Sequence, residues 1–395
     1  MKNFNINNIN NDKKDISIYV HIPFCESRCH YCDFFSSVID NAIVKKYFQC
    51  LNKEIILYSD LLKNKNTVSI FFGGGTPSSV DSLYIADTLN LIKNNTNIAN
   101  NCEITIECNP NSLTEKKLLD YINAGFNRFS IGAQSFNEKI LKSIGRIHKK
   151  NDIINAINLF KKYNIKNYSF DLMLALPYQT FNDIKESVEM IKVLNPSHIS
   201  YYSLIVEDNT LMSKIYDNNP SIFPSEYDDR KMYHYIVNSL NNLGYRQYEI
   251  SNFAKDNMYS RHNMRYWTLD DYIGFGVSAH SNIGNIRYFN YSDFNEYFNK
   301  IGSNALPVES FEELDIKDRI NEFSIMGLRM NKGIDIKLTN IRFNIDYLNY
   351  YKAEIEKNLK SNLIEIKNES IMLTEKGRDL SNIVEVDFIK LHSKS

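Results

Sequence analysis

Three cysteines lie within eight residues near the start of the chain, in the stretch "HIPFCESRCHYCDFF", as Cys25, Cys29 and Cys32. Thiolates at such short spacing indicate metal chemistry. A structural zinc ion takes four ligands, so His21 or His30 would have to supply the fourth, and zinc cysteines usually come in two well-separated pairs. An iron–sulfur cubane is normally held by four cysteines, so three on one loop leave one iron open to a small molecule. The spacing favours the open cluster, with zinc and a role without metal as alternatives.

A glycine-rich segment, "FFGGGTPS" at 71–78, follows the second apolar run of the chain. Because glycine has no side chain, three in a row let backbone groups approach a ligand closely. A tight turn explains them equally well. The position of the segment, at the end of a predicted strand, favours a ligand-binding role.

Six apolar or β-branched runs alternate with amphipathic stretches and predict six strand–loop–helix units. The strands are expected at 16–22, 67–72, 102–108, 127–133, 165–174 and 198–206. Such alternation predicts right-handed crossovers and a parallel sheet covered by helices, here an α/β fold with a partial, TIM-like (β/α)6 barrel. Barrels of this kind carry their chemistry at the C-terminal ends of the strands. The cysteines, the glycines, Glu107, Gln134 and Asp171 all fall there.

Three parts are expected along the chain: a flexible N-terminus over 1–14, the barrel over 15–300, and a C-terminal domain over 301–395. The C-terminal domain is predicted to be small and mostly helical. Within it, "LIEIKNESIMLTEKGRDL" predicts two short strands about a turn and then a helix, in a winged-helix-like arrangement. Winged helices often bind DNA, but this segment lacks a basic recognition face, so no nucleic-acid partner is expected.

Charge and hydropathy exclude other classes of function. The chain has 46 lysines and arginines against 47 acidic residues, which gives no electrostatic case for nucleic acid or an anionic membrane. No segment approaches the roughly 18 apolar residues of a spanning helix, and the polar N-terminus does not resemble a signal peptide. These features predict a cytoplasmic protein. The other cysteines, at 50, 102 and 108, are expected to be small buried hydrophobic residues.

The CX3CX2C spacing, with Tyr31 before the last cysteine, resembles that of the radical S-adenosylmethionine superfamily. The resemblance implies a [4Fe–4S] cluster held by Cys25, Cys29 and Cys32. Its fourth iron would be chelated by the amino and carboxylate groups of S-adenosylmethionine. "FFGGGTPS" is similar to the segment that contacts the methionine end of that cofactor.

Further segments resemble the oxygen-independent coproporphyrinogen III oxidase group and, within it, the HemW heme-chaperone branch. Eight of them follow in order between residues 19 and 281: "YVHIPFC", "FFGGGTPS", "IECNP", "SIGAQSF", "DLMLALPYQT", "YEISNFA", "RHNMRYW" and "GFGVSAHS". "NEFSIMGLRMNKGID" extends the likeness into the C-terminal domain. Two departures from the oxidase favour the chaperone branch. Phe34 stands where the oxidase has a further cysteine, and only 18 residues precede Tyr19, where the oxidase has a longer extension.

The resemblance implies cofactor contacts position by position. Tyr19 and the Gly74–Gly75–Thr76 turn would line the S-adenosylmethionine pocket, and Glu107 would bind the amino or ribose groups. His280 stands where the oxidase has an apolar cofactor contact. The positions that hold a second S-adenosylmethionine in the oxidase are Gln134, Arg146 and Asp171. In the structural alternatives, Glu107 caps a helix, Asp171 forms a salt bridge and Arg146 is a surface cation.

The segment "RHNMRYW" carries the H-N-x-x-Y-W pattern typical of the chaperone branch. Heme binding needs an iron ligand, an apolar enclosure and cations near the propionates. His262 would supply the imidazole, Tyr266 and Trp267 the ring surfaces, and Arg261 and Arg265 the charge. The alternative is that this histidine and the two aromatic residues simply pack between the barrel and the C-terminal domain.

The resemblance as a whole implies a protein that binds heme and hands it to acceptor proteins, with respiratory-chain proteins as the expected acceptors. No oxidase activity is expected of that branch. One rival function is the oxidative decarboxylation of coproporphyrinogen III. A second rival is a radical reaction on an unrelated substrate.

Overall fold

The computed structural model describes residues 14–391, and the predicted flexible N-terminus lies outside them except for Lys14. The strands, in chain order, are β1 (Asp15–Ile22), β2 (Phe24–Cys25), β3 (Ser37–Val38), β4 (Asn66–Gly74), β5 (Asn97–Cys108), β6 (Arg128–Gln134), β7 (Tyr168–Leu174), β8 (His198–Ser203), β9 (Arg246–Glu249), β10 (Asn252–Ala254), β11 (Tyr272–Phe275), β12 (His280–Ile283), β13 (Ile286–Asn290), β14 (Val308–Glu313), β15 (Ile334–Asp335), β16 (Ile364–Lys367) and β17 (Ser370–Leu373).

The helices, in the same order, are α1 (Asn41–Leu57), α2 (Ser59–Leu62), α3 (Ser82–Asn95), α4 (Glu115–Ala124), α5 (Glu138–Ser143), α6 (Lys150–Lys162), α7 (Phe181–Leu194), α8 (Leu211–Asn218), α9 (Glu226–Asn242), α10 (Arg261–Trp267), α11 (Phe294–Gly302), α12 (Ile316–Arg329), α13 (Ile336–Phe343), α14 (Tyr347–Tyr350), α15 (Lys352–Lys360), α16 (Glu375–Asp379) and α17 (Ser381–Asp387). Two short 3-10 helices cover Pro77–Ser79 and Pro220–Ile222.

One large sheet dominates the structure, with the strand order β14-β13-β12-β11-β1-β4-β5-β6-β7-β8-β10-β9. Its centre, from β11 to β8, is parallel. Six of these strands are the predicted ones, so the expected partial barrel is confirmed. β11 was not predicted as a seventh parallel strand, since it is only four residues long. Antiparallel strands extend both edges of the sheet.

The parallel strands form because both of their faces are buried, as expected for strands covered by helices. In β1, for example, Ile16, Ile18, Val20 and Ile22 are fully buried on one face, and Ser17 and His21 are buried on the other. The covering helices have clear start signals. α7 begins with a capping box in which the Thr180 hydroxyl and the Asp183 carboxylate each accept a backbone N–H at the helix start. Because the strands are parallel, their C-terminal ends lie side by side at one edge of the sheet, and the site lies at this edge.

The C-terminal part of the chain has its own core. A three-stranded sheet, β15-β17-β16, packs with α12, α15 and α17 around a hydrophobic cluster that includes Tyr347, Tyr351 and Phe388. The predicted pair of strands and the following helix are present as β16, β17 and α16. Among residues 14–391, no helix combines the length and the apolar content needed to cross a membrane.

Candidate functional site

The three clustered cysteines line one cavity of about 890 Å³ at the C-terminal ends of the parallel strands. Cys25 ends β2, and its Sγ accepts a hydrogen bond from Thr76 Oγ1 at 3.6 Å. Arg146 Nη1 donates to Cys29 Sγ at 3.5 Å. Burial raises the pKa of the Cys32 thiol to about 11. Two of the three sulfurs therefore have donors beside them that would stabilise a thiolate.

The structure gives the zinc alternative little support. His21 uses both ring nitrogens within the protein, since Nε2 lies 2.9 Å from the Phe35 carbonyl oxygen and Nδ1 lies 3.0 Å from the Tyr19 hydroxyl. The His30 ring lines a separate surface cleft, and its Nδ1 lies 3.1 Å from the Ser143 carbonyl oxygen. Within residues 14–391, no three metal-ligating side chains are placed together as they would be around a single metal ion.

The glycine turn lies at the end of β4 and is hydrogen-bonded to the backbone that leads into the cysteine loop, and its glycines are needed for space as well as conformation. Gly74 has φ +107°, and a Cβ there would lie 2.4 Å from the His21 ring. A Cβ on Gly75 would lie 2.7 Å from the Ile22 carbonyl oxygen. Both glycines also line the cavity with Thr76. The turn is therefore close-packed on one side and open to a ligand on the other.

Two carboxylates at strand ends face the same cavity. Glu107 on β5 accepts the Gly74 N–H at 3.2 Å, and Asp171 on β7 accepts from the Ser130 hydroxyl at 2.9 Å. Burial, together with the nearby Asp171, raises the pKa of Glu107 to about 8. Burial also raises the pKa of Asp171. Within the described part of the chain neither carboxylate has a cationic ion-pair partner, so the pocket favours a positively charged ligand.

Arg146 ties the cysteine loop to the strand ends. Besides Cys29, its guanidinium donates to the Asn109 side-chain oxygen and to the Gly132 carbonyl oxygen, each at 2.5 Å. Asn109 in turn donates to Thr76 Oγ1 at 3.3 Å. Asn109, which lies in the segment "IECNP" and had no predicted role, therefore links the glycine turn to the arginine.

The other predicted cofactor residues divide into two groups. Gln134 ends β6 with φ 59° and lines the cavity. Tyr19, His262 and His280 are not among the residues that line it. The Tyr19 hydroxyl bonds to His21, and His280 is exposed, with its ring stacked on Phe289.

The segment "RHNMRYW" forms α10, where His262 is almost fully buried. Its ring stacks on Phe71, and its Nδ1 lies 2.9 Å from Ser69 Oγ. Its Nε2 lies 2.8 Å from the Tyr266 hydroxyl. Burial lowers the pKa of His262 to about 3, so the ring is neutral. Since both nitrogens are engaged, this geometry favours the packing alternative over heme-iron ligation.

The far wall of the cavity was not anticipated from the sequence. It comes from α9, from the turn between β9 and β10, from the end of α12 and from the helices at the end of the C-terminal domain, and includes Arg230, Tyr233, Ile250, Arg329, Arg378 and Ile383. Ile250 and Arg329 lie within the segments "YEISNFA" and "NEFSIMGLRMNKGID", whose likeness assigned them no role. No motif spacing connects the other residues, so the sequence carried no signal by which to find them.

Known proteins match almost the whole chain. The heme chaperone HemW of Bacillus subtilis is 32% identical over 369 residues, which cover 93% of this chain and 97% of that protein. The heme chaperone HemW of Buchnera aphidicola subsp. Schizaphis graminum is 37% identical over 376 residues, which cover 93% and 96%. The chain belongs to the HemW family.

Family models and a solved structure agree on the fold. The radical SAM superfamily model matches residues 19–191, and the HemN C-terminal domain model matches residues 314–380. Coproporphyrinogen III oxidase (HemN) from Escherichia coli superposes with a TM-score of 0.85 at 22% identity, covering 96% of this chain and 91% of that one. At this identity the likeness establishes the fold, a radical SAM partial barrel with a helical C-terminal domain.

Proposed function

We propose that this protein is a heme chaperone that binds heme and transfers it to acceptor proteins, and that it carries a [4Fe–4S] cluster and S-adenosylmethionine. The observation that carries the proposal is that three thiols, a glycine turn and the partly buried carboxylate of Glu107 face one cavity in a HemW family member. Respiratory-chain proteins are the acceptors we propose.

The donor set fits an open cubane cluster. Cys25, Cys29 and Cys32 supply three thiolates, which leaves one iron of a [4Fe–4S] cluster for a ligand that is not protein. Thr76 and Arg146 donate to two of the sulfurs and would offset part of the negative charge of the cluster. A bound cluster supplies one-electron chemistry and a free coordination site.

The charges of the pocket fit S-adenosylmethionine, which carries a sulfonium and an amino group. Glu107 and Asp171 are partly buried acidic side chains that form no ion pair among residues 14–391, although Arg128 and Arg146 lie near enough to lower the pKa of Asp171. Taking carboxylates out of water is costly unless a cation or a hydrogen-bond donor accompanies them. The sulfonium and the N–H groups of the amino group would offset that cost. We propose Glu107 as the ligand of the amino group, with the Gly74–Thr76 turn against the methionine end. Gln134, Arg146 and Asp171 would be further contacts.

Oxidase activity is the rival that matters most. Phe34 stands where the oxidase has a further cysteine, and this side chain is 61% exposed and lines the cavity. A phenyl ring can neither transfer a proton nor ligate a metal. We therefore expect the protein to leave coproporphyrinogen III unchanged.

One sample tests both functions. The protein is first reconstituted anaerobically with iron and sulfide. One portion is titrated with heme and then mixed with the apo form of a b-type cytochrome. A second portion is incubated with coproporphyrinogen III and S-adenosylmethionine. We expect a shifted Soret band, transfer of heme to the cytochrome, and no release of carbon dioxide. Formation of protoporphyrinogen and carbon dioxide would show that the protein is an oxidase and would contradict the proposed chaperone function.

A further inference from the structure

The cavity has two chemically different ends. One end carries the three cysteines and the two unpaired carboxylates described above. The other end lies against the C-terminal domain and combines apolar side chains, among them Tyr233, Ile250 and Ile383, with the guanidinium groups of Arg230, Arg329 and Arg378. Apolar walls with a few directed charges are typical of sites for organic ligands, and about 890 Å³ is within the usual size of such sites.

Arg378 is the cation at this end that lacks a counter-charge. Its Nη1 donates to the Leu373 carbonyl oxygen at 3.1 Å, and it forms no ion pair with any residue of the described chain. The neighbouring Asp379 does not neutralise it. That carboxylate is already paired with His234 Nε2 at 2.9 Å and with Arg230 Nη1 at 3.5 Å.

The backbone holds Arg378 rigidly in the wall. Gly377 precedes it on α16, and a Cβ on Gly377 would lie 1.8 Å from the Leu363 carbonyl oxygen. The helix therefore lies directly against the chain at Leu363. The Thr374 hydroxyl caps the helix by accepting the Gly377 N–H at 2.9 Å. The packing fixes the backbone of Arg378, and the hydrogen bond to the Leu373 carbonyl oxygen orients its guanidinium.

Arg329 adds a second guanidinium. Its Nη2 forms an ion pair with Oε2 of the buried Glu249 at 3.6 Å, longer than a normal hydrogen bond, and its Nε is buried without a hydrogen-bond partner among residues 14–391. The guanidinium also stacks over the ring of Trp267 at 4.9 Å. This contact joins α10, which carries the HemW sequence pattern, to the cavity wall.

We propose that Arg378, assisted by Arg329, forms a carboxylate-binding subsite that anchors the propionates of heme in this cavity. The inference rests on the proposed function and assigns the place and orientation of its ligand. Guanidinium groups bind carboxylates in a bidentate geometry that also fixes orientation. The carboxylates of heme would point to the C-terminal domain and its macrocycle to the apolar walls.

The arginines of α10 are poorer candidates for this task. Arg265 pairs with Asp270 at 3.2 Å and donates to the Asp15 carbonyl oxygen at 3.4 Å. Arg261 is exposed, and neither residue lines the cavity. The cationic part of the heme site therefore lies in the C-terminal domain and not in "RHNMRYW".

The test compares heme with heme dimethyl ester, whose propionates carry no charge. Both are titrated into the reconstituted full chain and into Arg378→Gln, Arg378→Lys and Arg246→Gln. Arg246 is an exposed arginine of β9 outside the cavity wall and serves as the matched control. We expect Arg378→Gln to weaken heme binding roughly tenfold to a hundredfold, as for loss of a charge-assisted hydrogen bond. Ester binding should stay unchanged in every variant, and Arg378→Lys should keep most of the preference for heme.

Two outcomes would overturn the subsite. In one, Arg378→Gln binds heme as tightly as the unmutated protein. In the other, it loses heme and the ester to the same extent, which would indicate a general loss of fold. Failure of the proposed function gives a different result, because the unmutated protein would then bind neither ligand.

Discussion

His262 allows the most direct test of what α10 does. The substitution His262→Ala removes an imidazole that is 1% exposed and stacked on Phe71. It also removes the hydrogen bonds to Ser69 and Tyr266 and leaves both hydroxyls in a buried space. Because this geometry favours packing over iron ligation, we expect the variant to lose stability and to keep its affinity for heme.

The size of the loss follows from these contacts. Two buried hydrogen bonds contribute about 1–3 kcal/mol together. The space left by the ring adds about 1–2 kcal/mol, since a buried side chain truncated to alanine leaves a cavity that only partly collapses. The free energy of unfolding should therefore fall by about 2–5 kcal/mol. His280→Ala is the control, because that histidine is exposed and should cost under about 0.5 kcal/mol.

Trp267, the one tryptophan of the chain, lies on the same helix and provides the assay. Urea unfolding followed by its fluorescence reports stability at α10, and a heme titration of the same proteins reports affinity. A His262→Ala protein that unfolds at the unmutated urea concentration but binds heme at least tenfold more weakly would refute the packing argument. It would make His262 the iron ligand.

Three further predictions concern the other end of the cavity. Replacing the three cysteines of the loop with alanine should abolish bound iron and the cluster absorbance, because they are the proposed ligands. Replacing the other three cysteines should leave the iron content unchanged. The reverse result would show that the other three cysteines ligate the cluster. Glu107→Ala should lower the affinity for S-adenosylmethionine roughly ten- to a hundredfold, measured from the change that this ligand causes in the electron paramagnetic resonance signal of the reduced cluster. Glu138→Ala, at an exposed position, should leave the affinity unchanged. Equal affinities in the two variants would show that Glu107 is not part of the site. Gly75→Ala should lower the melting temperature and the iron content, because backbone atoms block its Cβ, whereas Gly302→Ala, which meets nothing within 4 Å, should be neutral or stabilising by about 0.5–1 kcal/mol. Equal effects of the two glycine substitutions would contradict the steric argument.

The sequence predicted the barrel and the placement of the cysteine loop and the glycine turn at the strand ends, because both depend on local signals. Buried parallel strands appear as continuous apolar runs, and the cysteine loop and glycine turn directly follow two of them. The orientation of a histidine depends instead on partners far away in the chain. His262 is nearly two hundred residues from Ser69, and nothing within "RHNMRYW" reveals that its nitrogens are already engaged. Arg378 was missed for the same reason, since its role depends on a wall that forms only in three dimensions.

The walls of the cavity come from nearly opposite ends of the chain, and this has a consequence for biosynthesis. The cysteine loop ends at Cys32, and the wall that faces it is completed only by residues 378–383. At about 5–20 residues per second, the ribosome needs roughly 20–70 s to make the intervening chain. Throughout that interval the three thiols exist without their cover. Thiols in that state are open to iron and sulfide and equally to oxidants, so we expect the proposed cluster site to be easiest to load, and easiest to damage, in the nascent chain.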